Sequence, residues 1–217
     1  IVENTVGKLL KGKTPEQVSK IRILDPACGS GSFLLGAYVS LLRYHTDYYW
    51  KRDYHKKKIS SNPLTASGQL TVTEKKRILI NNIYGVDIDA NAVEVTKLSL
   101  LLKAMEGETE VSIGHQLHLY KKGILPDLDK NIQCGNSLIE PDIYDGRLPF
   151  EKIDEKINPF NWKSAFPKVF KDGGFDVVIG NPPYIQLAMF DWFDESQNDY
   201  YLKKFSSSMG RMNTFGF

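Results

Sequence analysis

Residues 21–33 read IRILDPACGSGSF, and this stretch decides the fold. Ile21 to Leu24 is a short apolar strand. Asp25-Pro26 ends it, because proline has no N–H to give to a sheet ladder. Ala27 to Gly31 is a turn of small residues. Ser32 then caps a helix running to about Tyr48, with Phe33, Leu34, Ala37, Tyr38, Leu41 and Leu42 on its apolar side. Gly29 and Gly31 allow close approach of a ligand to the backbone, and the helix start offers unpaired N–H groups. The loop is not a dinucleotide fingerprint, since Leu34 stands where the third glycine belongs. It also lacks the Gly-Lys-Ser/Thr of a P-loop. It suits a nucleotide-like ligand that carries no pyrophosphate.

Working outward, residues 1–20 form an N-terminal helical segment with a helix over Val2 to Leu10. Residues 49–70 are polar, basic and aromatic with Ser, Asn, Pro and Gly breakers, and are expected to be an insertion. Thr71 to Glu74 has the form of a capping box and opens a helix to Asn82. Ile83 to Asp87 is the next strand. Asp89 caps a helix that continues to Glu106, with Ala92, Val93, Val95, Leu98, Leu101 and Leu102 as its apolar positions. Further strands are expected near Glu110 to Ile113, at Asn131 to Cys134 and at Phe175 to Ile179. Ser137 to Gly174 reads as loop, and Gln186 to Phe205 as mainly helical. Strands alternating with helices predict an α/β fold: a Rossmann-like, doubly wound, mostly parallel sheet. In such sheets ligands sit outside the carboxyl ends of the strands. Three clusters fall there: Asp25 to Gly31, Asp87 to Asp89, and Asn181 to Tyr184.

Each cluster has a chemical reading. Asp87, at the end of the second strand, can take both hydroxyls of a ribose, and Ile88 can pack on the face of a base. Asn181-Pro182-Pro183-Tyr184 follows FDVVIG. An exocyclic amine on an aromatic ring is a poor nucleophile, since its lone pair is delocalised. Two acceptors placed on its two protons favour the tetrahedral nitrogen that can attack. The Asn181 side-chain oxygen and the Pro182 carbonyl, on a backbone stiffened by Pro183, are such a pair. Tyr184 offers a flat face for stacking.

DPACGSGSFL from Asp25, YGVDIDANAV from Tyr84, CGNSL from Cys134 and the run NPFNWKSAFPKVFKDGGFDVVIGNPPYI from Asn158 together resemble a known family. It is the class I S-adenosylmethionine-dependent methyltransferases, and within them the adenine-N6 DNA methylases of type II (IIG-like) restriction–modification and phage-defence systems. The resemblance covers most of residues 21–190. It implies transfer of a methyl group from S-adenosylmethionine to the amino group of an adenine flipped out of double-stranded DNA. It assigns the methionine part of the cofactor to Asp25, Pro26, Ala27, Cys28, Gly29, Ser30, Gly31 and Phe33. It gives the ribose to Asp87, the adenine face to Ile88, the adenine edge to Asn136 with Ser137 beside it, and the target base to Asn181, Pro182, Pro183 and Tyr184. Residues 21–217 are then the catalytic core. Relatives of this kind also carry an earlier Tyr-Thr-Pro-type segment, later strands and a target-recognition domain. None of these lies in the 217 residues, so the sheet is expected to stop after its fourth strand, and the chain by itself to be impaired in catalysis and recognition.

Other signals are weaker. RYHTDYYWKRDYHKKK, residues 43–58, could grip a phosphate backbone, but a solvated helix extension whose aromatics dock on the domain is favoured. His115 and His118 have helical spacing without further ligands, so no metal is expected. Pro141-Asp142 with Asp154-Glu155-Lys156 imitates a nuclease pattern by accident. Net charge is +2 and the two cysteines, Cys28 and Cys134, make no disulfide framework. No apolar run reaches the length of a membrane span, and a cytoplasmic location is expected. Two rival functions remain. One is an N-methyltransferase acting on a protein glutamine amide or an RNA base; the other is a non-catalytic assembly subunit of this fold.

Overall fold

A computed structural model describes residues 2–53, 63–65, 67–107, 126–145, 157–181 and 195–205. Four parallel strands lie in the order β3-β2-β1-β4, with β1 at Ile23–Asp25, β2 at Ile83–Asp87, β3 at Ile132–Cys134 and β4 at Val177–Val178. The registers Asp25↔Gly85, Asp87↔Cys134 and Leu24↔Val178 bring the carboxyl ends to one edge. From β1 the chain winds outward through β2 to β3, then returns across the sheet to β4 on the other side of β1. That reversal makes the β1/β4 junction the topological switch point, where such sheets open a crevice.

Both faces of the sheet carry helices, although Val178 of the edge strand β4 stays exposed, and the strands read as apolar runs rather than alternating ones. On one face pack α1 (Val2–Leu10), α3 (Ser32–Asp53), α4 (Val72–Asn82) and α5 (Ala90–Met105), burying Ile23, Ile83 and Ile132 with Leu34, Tyr38, Leu41, Ile78 and Leu100. The short α2 is Pro15–Val18, capped by Thr14 and Gln17. On the other face Leu24, Tyr84 and Val86 meet Phe160, Phe166 and Val169. These come from α6 (Trp162–Ala165), α7 (Pro167–Lys171) and the chain before them. The final α8 (Glu195–Lys204) sets Tyr201 against Ile139, Ile143 and Ile157.

Several expectations need correction. Helix α3 starts at Ser32 rather than being capped by it, and continues to Asp53, into the expected insertion. Tyr49 and Trp50 carry it on, by hydrogen bonds to Glu74 Oε1 (2.9 Å) and the Gly68 carbonyl (2.9 Å). Thr71 caps α4, but the Glu74 carboxylate turns to Tyr49 and Arg77 instead of closing the box. On α5, Val93, Thr96, Leu100 and Ala104 face the sheet, whereas Val95, Leu98 and Leu102 face outward. The stretch 137–174 is not all loop. Asn161 caps α6, Pro167 opens α7, and Pro141–Tyr144 is a 3-10 turn. The strand expected over Phe175 to Ile179 is paired at Val177 and Val178. The candidate strand near Glu110, both spaced histidines, Asp154 to Lys156 and residues 186–194 lie outside the described residues.

The aromatics of residues 43–53 mostly dock. Tyr44 bonds the Lys13 carbonyl, His45 and Tyr49 are buried, and Arg43 pairs with Glu3 at 3.0 Å. At 1.5 Å per residue this end of α3 is about 30 Å from its start at the glycine loop. Lys56, Lys57 and Lys58 lie outside the described residues. No described helix is long and apolar enough to cross a membrane.

Candidate active site

The crevice is built from four strand ends. After β1, Asp25 is buried at 1% exposure, and its Oδ1 accepts the Ala27 N–H at 3.1 Å. Burial raises its carboxyl to about 6; the Ala27 N–H opposes the rise and the Asp87 carboxylate adds to it. Gly29 and Gly31 have φ of +52° and +81°, which only glycine adopts without strain. Gly29 is clamped from both sides. Its N–H donates to Asp87 Oδ2 at 2.7 Å, and its carbonyl accepts the Thr96 hydroxyl at 2.7 Å. Cys28 is buried, and its thiol is pushed up to about 12, first by burial and then by Asp87 and Asp25. It fills space and is no nucleophile. Pro26 and Ala27 are half-buried, Ser30 is exposed, and Phe33 is half-buried against the core.

After β2, the second oxygen of Asp87 accepts the Asp89 N–H at 3.0 Å, and Asp89 caps α5 as expected. Ile88 stands out at 49% exposure, a large apolar side chain next to two carboxylates. After β3, the Asn136 oxygen accepts the Leu138 N–H at 3.1 Å. The Ser137 carbonyl accepts the Trp162 indole N–H at 3.1 Å.

After β4, the chain reaches Gly180 and an exposed Asn181. An added Cβ at Gly180 would lie 2.7 Å from Asp25 Oδ1. The residue before Asn181 therefore lies directly on the carboxylate that opens the glycine loop. The structure thus brings together the Asp25 loop, Asp87, Ile88, Asn136 and the backbone leading to Asn181. Pro182, Pro183 and Tyr184 lie outside the described residues.

Two residues of the rim escaped sequence reading. Thr96 left a trace, a polar residue at a core position between Val93 and Leu100. Asn158 opens the run NPFNW, but no role in the rim was read from it there; its carbonyl accepts the Asn136 N–H at 2.7 Å. A shallow cavity of about 270 Å³ opens on the flank of the crevice, between α5 and β3, and shares Cys134 with the rim. Among the described residues no cluster of three or more metal-ligating side chains is gathered.

A family model described as Eco57I restriction-modification methylase matches residues 81–217. The type II restriction enzyme and methyltransferase RM.Eco57I of Escherichia coli is 33% identical over 216 residues, covering 99% of this chain and 20% of that protein. The adenine-specific methyltransferase PglX of Streptomyces coelicolor is 26% identical over 199 residues, covering 88% of this chain and 14% of PglX. Among solved structures, a nuclease-deletion mutant of the Type ISP restriction-modification enzyme LlaGI, in complex with a DNA substrate mimic, aligns with a TM-score of 0.44 and 15% identity. That alignment covers 85% of this chain and 12% of the other. The chain spans a fifth or less of the length of these relatives.

Proposed function

The chain belongs to the Eco57I restriction-modification methylase family, and from that premise we propose that it is the cofactor-binding and catalytic core of a DNA adenine-N6 methyltransferase. One observation carries this reading: the contact of Gly180 with Asp25. It joins the acceptor-bearing segment and the glycine loop in one crevice, as a direct transfer between two bound molecules requires.

The residues fit S-adenosylmethionine. A buried carboxylate held above its ordinary range lacks a full counter-charge, and an amino-acid ammonium would supply it at Asp25. Asp87 keeps lone pairs for ribose hydroxyls, and the exposed Ile88 offers an apolar face to a base. Asn136 and Ser137 border the base, and Pro26 to Gly31 with Phe33 form the wall around the methionine part. Bound there, S-adenosylmethionine would supply an electrophilic methyl group. Asn181 Oδ1 and the Pro182 carbonyl then accept hydrogen bonds from the two N–H groups of the target amine, Pro183 fixes that carbonyl, and the methylated amine loses its extra proton to water. Tyr184 stacks on the flipped base. Double-stranded DNA is the proposed partner, with sequence recognition supplied by parts of the protein outside residues 21–217. Two free cysteines suit a reducing, cytoplasmic setting.

The test is Asn181→Ala in the full-length protein. Methyl transfer to duplex DNA should fall about 10³-fold, with S-adenosylmethionine affinity within about three-fold of wild type. The wild-type product should be 6-methyladenine on mass spectrometry of the digested DNA. Methylation of an RNA or a glutamine-bearing peptide in preference to DNA, or full activity in the variant, would refute the assignment.

A further inference from the structure

We infer that Tyr200 and Lys204, on α8, are positioning residues for methyl transfer: they latch the far end of the segment that carries the base-holding residues. This rests on the reading of Asn181 to Tyr184 as the holder of the target base. The near end of that segment is fixed at the sheet. The Ile179 N–H donates to the Leu24 carbonyl at 2.8 Å, and Gly180 lies on Asp25. From Asn181 the chain runs through Pro182, Pro183 and Tyr184 and enters α8 at Glu195. The place of α8 therefore sets where the segment must end.

The stretch leaving β3 holds α8. Tyr201 is buried, at 3% exposure, against Ile139, Ile143 and Ile157. Apolar burial is non-directional, so it presses the helix down without choosing its rotation or its height. Tyr200 and Lys204, one turn apart on one side of the helix, make that choice. The Tyr200 hydroxyl donates to Asp142 Oδ1 at 2.6 Å and accepts the Glu140 N–H at 3.1 Å. The Lys204 ammonium reaches Glu140 Oε2 at 2.9 Å and Asp142 Oδ2 at 2.5 Å, and lies over the Tyr200 ring at 5.6 Å. Each oxygen of Asp142 is thus taken by a different side chain of α8. Lys204 and then the Tyr200 hydroxyl hold the Asp142 carboxyl below the usual carboxylate range, and Asp142 and Glu140 raise Lys204 in turn.

Stability does not account for this arrangement. Lys204, Glu140 and Asp142 are each more than a third exposed, and exposed ion pairs add little to folding. What the latch contributes is register. A slip of one residue along α8 would turn the helix by about 100° and shift it by about 1.5 Å. Misplacement of about 1 Å at a reacting group costs up to about 10²-fold in rate. Glu140 to Asp142 also follows closely on Asn136 to Leu138 at the rim of the crevice. The latch therefore ties the base-holding segment to the cofactor side of the site.

Lys204→Met in the full-length protein is the test, since it keeps the apolar stem and removes the charge. It should melt within about 2 °C of wild type and bind S-adenosylhomocysteine within about two-fold. At saturating S-adenosylmethionine, kcat on unmethylated duplex DNA should fall about ten-fold, with KM for DNA changed by less than about two-fold. Tyr200→Phe should lower kcat about three-fold. Lys204→Arg, whose guanidinium can pair with both carboxylates, should recover most of the rate. Wild-type kcat in Lys204→Met, or no recovery in Lys204→Arg, would overturn the inference and leave the functional reading standing. A melt lowered by more than about 5 °C, with rate and cofactor affinity lost together, would overturn it too and make the latch a structural brace. Failure of the wild type to methylate duplex DNA would instead overturn the functional reading, and this inference with it.

Discussion

Asp25 illustrates how a single side chain links the fold to the chemistry. Its carboxyl is raised to about 6 from an ordinary 3.8, because burial disfavours the charge. A raised acid favours the folded state in its protonated form. That contribution is full below pH 3.8 and is lost as pH rises through 6. Above that range the buried charge costs about 3 kcal/mol. Asp25→Asn should therefore be more stable than wild type at pH 8, with the gap closing below pH 4. Urea denaturation at several pH values measures this, and a difference independent of pH would show that the carboxyl is not perturbed. The same variant should bind S-adenosylmethionine more weakly at pH 8, since the charge that destabilises the empty protein is the one proposed to hold the ammonium. Stability and binding thus oppose each other at one atom.

At the scale of the element, α5 does more than link two strands. Its buried line of Val93, Thr96, Leu100 and Ala104 includes one hydroxyl, and that hydroxyl reaches the glycine loop. Thr96→Val keeps the shape and orphans the Gly29 carbonyl, so it should cost about 1 kcal/mol of stability. It should also weaken S-adenosylmethionine binding about ten-fold with kcat at saturation unchanged. Thr96→Ser restores the donor and should recover most of the affinity. Equal binding by Thr96→Val and wild type would mean that α5 only packs. The outward Val95, Leu98 and Leu102 on the same helix show the limit of reading periodicity. Apolar residues occupy more than one face, and only the sheet selects which is covered.

For the whole molecule, stability centres on the sheet and the face covered by α3, α4 and α5. Ile83 is fully buried in that cluster, on the strand between β1 and β3. Ile83→Ala should destabilise by about 2–5 kcal/mol, whereas Leu98→Ser, at 57% exposure, should change stability by less than about 0.5 kcal/mol. Thermal melts of both check this, and a large loss at Leu98 would reveal that the outer face of α5 is covered in the intact protein.

Much was legible along the chain because it is local. A strand ended by proline, a turn of small residues holding Gly29 and Gly31, a cap at Asp89 and an acid at the end of Ile83–Asp87 each depend on neighbours a few residues away. Their recurrence at strand ends was enough to predict a parallel sheet and its ligand-binding edge. The strand order, the clamp of Thr96 on Gly29 across 67 positions and the approach of Gly180 to Asp25 were decided by tertiary structure alone. The physical reason is that a contact between distant residues has no period and no composition of its own. It exists because packing both faces of one sheet brings the ends of four strands to the same edge.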